Sequence, residues 1–193
     1  MPYLALAAIV AAGLSAATPA AAQDAPASAP AGSPNMSRFS RAVKARFDSI
    51  KRDIVDAAEA VPESEYGFRP VPEVRSFGEL IGHIVDSQNF FCGVAGGSNP
   101  EYSDAVEKRR PLTKAALIGA LKASVTACDA IYADTTAENA LDVVPAGKGD
   151  ALRGLMLVDN ISHDNEHYGN IVTYMRLKGR VPPSTGRTAT PGR

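Results

Sequence analysis

The sequence predicts an all-α protein folded as a four-helix bundle, and three observations carry that reading. Four stretches place apolar residues three and four positions apart, the spacing that lines one face of an α-helix. No segment alternates apolar and polar residues for long enough to specify a strand. Capping residues, glycines and prolines punctuate the four stretches. Four amphipathic helices can close around one core, and a chain of 193 residues is long enough to do so.

The first helix carries Phe39, Val43, Phe47, Ile50, Ile54, Ala58 and Val61 on one stripe, faces Arg, Lys and Asp outward, and ends at Pro62. Ser76 opens the second helix as an N-cap, and Glu79 three residues later completes a capping box. Its inward stripe is Leu80, His83, Ile84, Ser87, Phe91 and Val94, and Gly96-Gly97 end it. The third helix starts near Thr113 and runs through Leu117, Leu121, Val125, Cys128 and Ile131. Asp150 is the expected N-cap of the fourth. Leu152, Met156, His163, His167, Ile171 and Tyr174 form its stripe, and Gly179 caps its end. Between the second and third helices lies a loop of about fifteen residues. At roughly 3.3 Å per residue it can run the length of a 30 Å helix, so it permits those two helices to be parallel without requiring it.

The ends are read separately. Residues 1–22 contain no charge, and the apolar run from Leu4 to Leu14 is too short to span a bilayer. With Ala20-Ala21-Ala22 as a cleavage site, this segment reads as a signal peptide, giving a periplasmic or secreted protein. No Lys or Arg precedes the apolar run, and translation from Met36 would instead leave the protein cytoplasmic. Residues 23–36 read as an Ala/Pro/Ser linker, 37–183 as the folded domain, and 184–193 as a disordered tail, since the stretch from Arg180 looks unable to form a helix. A formal net charge of −1, with no basic tract, gives no footprint for nucleic acid and no pull toward a membrane after signal cleavage. A small-molecule substrate is expected but not named, and a homodimer is left open.

All three histidines fit one constellation. His163 and His167 are four apart, so on a helix they share a face. His83 lies on another inward stripe. Three imidazoles from two facing helices leave a fourth coordination position for water or substrate, the pattern of a catalytic rather than a structural zinc-type site. Against this stands the plainer reading of three unrelated histidines, each satisfied by a neighbour. Three unpartnered imidazoles inside an apolar bundle would be costly, and one shared cation resolves all three. Imidazole-only ligation suits zinc, nickel, copper or iron. A di-iron site is disfavoured, because Asp164 and His167 make one D-x-x-H with no second copy. Asp86, Asp159, Asn160 and Asn170 are candidates to hold the other ring nitrogens, while Asp164 and Glu166 are expected to face solvent. No nucleophile elbow, P-loop or dinucleotide fingerprint is present, and no side chain is assigned a catalytic role.

The segments SFGELIGHIVDSQNFF, HDNEHYGNIVTYMRLKG and RVPPS resemble the DinB-like superfamily of metal-dependent enzymes. That resemblance implies an up-down-down-up bundle with a long crossover, and a divalent metal, zinc or nickel, held by His83, His163 and His167; iron also suits the donor set. It further implies a thiol-dependent transferase or isomerase in which the metal ionises the thiol; an open metal position by itself also allows a metal-dependent hydrolase acting through an ionised water. The alternative is a metal- or ligand-binding bundle without turnover. Parallel second and third helices would set Cys92 and Cys128 at similar heights. In an exported chain that favours a disulfide, which needs Cα atoms roughly 4.4–6.8 Å apart, over the plainer reading of two small buried thiols, and the sequence leaves the choice open.

Overall fold

The computed structural model describes residues 37–188; the expected signal peptide, the linker and residues 189–193 lie outside the described residues. The domain is predominantly helical. Its long helices are α1 (Arg38–Ala60), α2 (Phe77–Ala95), α3 (Lys114–Asp134) and α4 (Arg153–Leu177). Between α3 and α4 stands a two-stranded hairpin, β1 (Val143–Ala146) and β2 (Gly149–Leu152), and a short α5 (Pro183–Thr188) follows α4. Helix α2 packs against α3 and α4, and α1 packs against the same two.

The caps follow the sequence logic for three helices. Ser37 accepts a hydrogen bond from the Ser40 amide, Ser76 and Glu79 form the reciprocal capping box, and Thr113 accepts from the Ala116 amide. The stripes meet in one core of Phe47, Ile50, Ile54, Ile81, Ile84, Leu117, Leu121, Leu157, Ile171 and Met175. Burying each such side chain stabilises the fold by about 1.5–3 kcal/mol relative to leaving it exposed. Phe47 stacks on Tyr132 at 4.3 Å between ring centroids, and the Tyr132 hydroxyl donates to the Leu157 carbonyl. Phe39, placed on the α1 stripe by its spacing, is exposed instead, in the first turn of the helix.

Two expectations about helix ends are corrected. Asp150 does not cap α4; it lies in β2, and Leu152 precedes the helix with no side-chain cap. The hairpin pairs Val143 with Leu152 through Ala146 with Gly149 around a two-residue Gly147-Lys148 turn. Gly147 has φ +62°, as the first central residue of a type II′ turn requires. Its signal was weak because each strand has only four residues, β1 contains Pro145, and Val144 is the one buried strand residue. The stretch after Arg180 also forms a helix, α5. Pro183 starts it rather than stopping it, because a first-turn residue has no intrahelical donor to lose. The Tyr168 hydroxyl accepts from the Ser184 amide, and Arg187 pairs with Asp53 and Asp56 of α1.

Cys92, near the end of α2, and Cys128, in the second half of α3, are joined by a disulfide with their Cα atoms 5.3 Å apart. The bridge closes 36 residues of sequence, and restricting a loop of that size in the unfolded chain is worth about 3–4 kcal/mol in the chain-entropy account.

A second cross-link is polar. The Ser124 hydroxyl of α3 donates to Gln88 Oε1 at 2.7 Å, and Gln88 Nε2 of α2 donates to Asp164 Oδ2 of α4 at 3.0 Å. Asp164 was expected to face solvent; it is fully buried. The i+1 step from His163 turns it onto the core side next to α2, where Gln88 supplies a donor. Its other oxygen has no partner, and burial pushes the carboxyl up to about 7, against the Gln88 hydrogen bond that favours ionisation.

Two outcomes are expected. Protein recovered under oxidising conditions should show no reactive thiol until reduced, and Cys92→Ala/Cys128→Ala should melt at lower temperature by an amount of the order of the loop-entropy term. Labelling of two free thiols in the unreduced protein would contradict the bridge. The second concerns Asp164. A raised native carboxyl pKa contributes stability that is complete below the unfolded value near 4 and is lost as pH rises through about 7. In chelator-treated protein, denaturant titrations between about pH 5.5 and pH 8 should therefore show the wild type losing roughly 1–2 kcal/mol relative to Asp164→Asn. Parallel pH profiles for the two proteins would refute the assignment.

Candidate metal centre

The three histidines converge. His83 comes from the second turn of α2, and His163 and His167 come from one face of α4. His163 Nε2 lies 3.1 Å from His83 Nε2 and 3.0 Å from His167 Nε2. One ring nitrogen from each lies within 4.8 Å of the other two. In a tetrahedral site with metal–nitrogen bonds of about 2.0–2.1 Å, neighbouring ligand nitrogens stand about 3.3 Å apart. The two contacts made by His163 are close to that spacing.

Electrostatics favour the ligating form of all three rings. Burial pulls the His163 imidazole down to about 3, with the neighbouring His167 and His83 acting in the same direction. Burial, with His83 beside it, pulls His167 down to about 4. Burial and then Arg75 lower His83, against the opposing pull of Glu107. The rings are therefore neutral near pH 7, and a neutral ring nitrogen has a lone pair to give a metal.

The other ring nitrogens show what fixes each ring. His83 Nδ1 is 3.0 Å from Glu107 Oε2 and 3.2 Å from the Tyr102 hydroxyl. With Nδ1–H turned to the carboxylate, His83 Nε2 offers the cluster only a lone pair. His167 Nδ1 lies 3.4 Å from Asn170 Nδ2; that nitrogen can only donate, so holding an Nδ1–H on His167 would require the amide oxygen of Asn170 in its place. His163 Nδ1 is buried without a partner. Asp159 makes no hydrogen bond to it, and Asn160 is turned to the Tyr132 hydroxyl at 3.2 Å. Asp86 does not hydrogen-bond His83; its carboxylate accepts from the backbone amides of Val106 and Glu107. Sequence reasoning missed Glu107 and Tyr102, because both sit in the irregular crossover, where no periodicity relates them to a helix face. Glu166 is exposed, as expected.

The donor set fits a divalent metal. Three close nitrogens with His83 Nε2 unprotonated present converging lone pairs, and a shared cation satisfies such an arrangement where hydrogen bonds among the rings leave one of them unmatched. On one side the Phe91 ring approaches His163 at 5.7 Å between centroids. On another, a cleft of about 540 Å³ opens beside His167, lined by Arg75, Glu107, Glu166, Asn170 and Tyr174 among others. The Tyr174 hydroxyl donates to the Arg75 carbonyl at 2.8 Å, which holds the cleft wall in place.

Comparison with known proteins agrees with this architecture. The fold matches a DinB-like protein from Bacillus cereus with a TM-score of 0.63 at 15% identity, over 74% of this chain and 95% of that one. A DinB-like protein from Bacillus subtilis matches with a TM-score of 0.58 at 22% identity, over 72% and 93% of the two chains. A point mutant of the mycothiol-dependent maleylpyruvate isomerase matches with a TM-score of 0.59 at 14% identity, over 68% of this chain and 60% of that one. These likenesses are of fold. No curated protein sequence matches the chain significantly. The model of the DinB superfamily matches residues 46–171, a span that holds all three histidines, and the chain belongs to that superfamily.

Proposed function

We propose that the protein is a metal-dependent enzyme in which His83, His163 and His167 hold one divalent ion, zinc or nickel, beside a substrate cleft. The observation that carries this reading is the convergence of three neutral imidazole nitrogens at 3.0–3.1 Å contacts, next to a polar cleft large enough for a small molecule. When bound, the metal would lower the pKa of a water or a thiol at its open position and so supply a nucleophile near neutral pH. The chain's own residues do the rest. Glu107 holds the His83 ring, Asn170 stands beside His167, Arg75 and Glu166 offer charge at the cleft, and the Phe91 ring packs on one side of His163. A mycothiol-dependent isomerase among the structural neighbours supports a thiol as the nucleophile to test first, with hydrolysis by an activated water as the other reaction of the same site.

The finer topology and the compartment belong to the same proposal. The Cys92–Cys128 bridge joins the later parts of α2 and α3, which supports parallel α2 and α3 in an up-down-down-up order. A disulfide between the two cysteines of the chain also supports export, since such bonds persist in oxidising compartments.

Purified protein is expected to bind about one zinc or nickel ion per chain, and His83→Ala, His163→Ala and His167→Ala should each reduce that occupancy by at least tenfold while the fold persists by circular dichroism. Metal analysis showing no bound ion, or unchanged occupancy in all three variants, would overturn the reading. A screen of low-molecular-weight thiols against small electrophiles should give metal-dependent turnover. Stoichiometric metal without turnover in that screen or with hydrolysable esters and amides would favour a binding module. Export is checked by mass spectrometry of protein from its native host: the expected mature N-terminus is Gln23, and a terminus at Met1 or Met36 would refute it.

A further inference from the structure

We propose that Glu107, carried by the crossover between α2 and α3, is a positioning residue of the metal centre, and that Asp86 and Gly82 of α2 dock the turn that carries it. The inference rests on the metal-binding reading above. Both oxygens of the Glu107 carboxylate are engaged: Oε2 meets His83 Nδ1 at 3.0 Å, and Oε1 accepts from Arg75 Nε at 2.8 Å. An imidazole whose Nδ1–H is held by a carboxylate keeps its Nε2 lone pair for a metal, and the negative charge makes that nitrogen a better donor. Tyr102 reaches the same Nδ1 at 3.2 Å, but the charged oxygen is the stronger acceptor. Of the three rings, His83 alone has a carboxylate on its outer nitrogen: His167 has an amide, and His163 Nδ1 has no partner.

Glu107 is 24 residues from His83 and lies in a turn outside any helix or strand, so something must hold that turn against α2. Asp86, one helical turn after His83 and buried, accepts from the Val106 amide at 3.1 Å and the Glu107 amide at 2.9 Å. Gly82 allows the approach. A Cβ at that position would lie 2.7 Å from Glu107 Cα and 2.9 Å from Glu107 N, both backbone atoms that cannot yield by rotation. Positions 82, 83 and 86 of α2 thus act together: a glycine admits the turn, a histidine receives its carboxylate, and an aspartate pins its amides.

The test measures zinc affinity of the full chain by competition with a chromogenic chelator. Glu107→Ala is expected to weaken zinc by about 10–100-fold, and the isosteric Glu107→Gln by less, because it keeps an acceptor but loses the charge. Asp86→Ala should weaken zinc in the same direction, and Asp86→Ala/Glu107→Ala should be no weaker than Glu107→Ala alone, because both changes remove one contact. The visible spectrum of the cobalt-loaded protein should shift in Glu107→Gln, since a change at His83 alters the ligand field. Melting curves of the chelator-treated proteins separate this role from folding, and Glu107→Gln carries the test if an alanine variant does not fold. Zinc affinity within twofold of wild type in both Glu107 variants, with or without a change in melting, overturns the role of Glu107. Additive effects in the double variant overturn the docking by Asp86. A wild-type chain that binds no zinc overturns this inference together with the metal reading, whereas wild-type binding that ignores Glu107 overturns this inference alone.

Discussion

Everything at the centre depends on α2 and α4 facing each other closely enough to bring three imidazoles into contact. Their Nε2 atoms approach to about 3 Å in a setting where burial holds the rings neutral. Neutral rings whose Nε2 atoms crowd together match one another poorly, since hydrogen bonds among three such atoms leave one of them unmatched. That arrangement is tolerable when packing elsewhere over-determines it, and it becomes favourable when a cation is shared. The core of Ile81, Ile84, Leu157 and Ile171 around these same helices supplies the packing.

The cross-links divide the remaining work. The Cys92–Cys128 bridge ties α2 to α3 covalently, and the Ser124–Gln88–Asp164 chain ties α3 to α2 and α2 to α4 by hydrogen bonds. Outside the bundle, the ion pairs of Arg187 with the buried Asp53 and the half-exposed Asp56 fasten α5 to α1; the Asp56 pair, open to solvent, contributes little by itself. Asn99, at φ +46°, bonds the Gly147 amide at 2.7 Å and so fastens the hairpin to the loop after α2. The long crossover is therefore anchored at both ends: by Asn99 at the hairpin, and by Asp86 and Glu107 at α2.

The electrostatic design has a consequence for the cleft. Arg75 stands on its wall and shares Glu107 with His83. The cleft guanidinium and the carboxylate beside His83 are thus parts of one hydrogen-bonded unit.

Local sequence determined the four long helices, the Ser76–Glu79 capping box and the histidine set, because each depends on spacing within one helix or on a cap a few residues away. Periodicity placed His83 on one stripe and His163 and His167 on another, and that sufficed to name the candidate ligands. Tertiary structure decided what spacing cannot encode. Asp164 lies on the core side because Gln88 of another helix offers it a donor, and Asp150 belongs to a hairpin whose strands are too short and too exposed to alternate visibly. Pro183 begins a helix because Tyr168 supplies its cap. Glu107 reaches His83 across 24 residues only because Gly82 leaves room and Asp86 holds the amides. Contacts made between elements depend on where the folded chain brings them, and a residue type at a given position carries no record of a partner that far away.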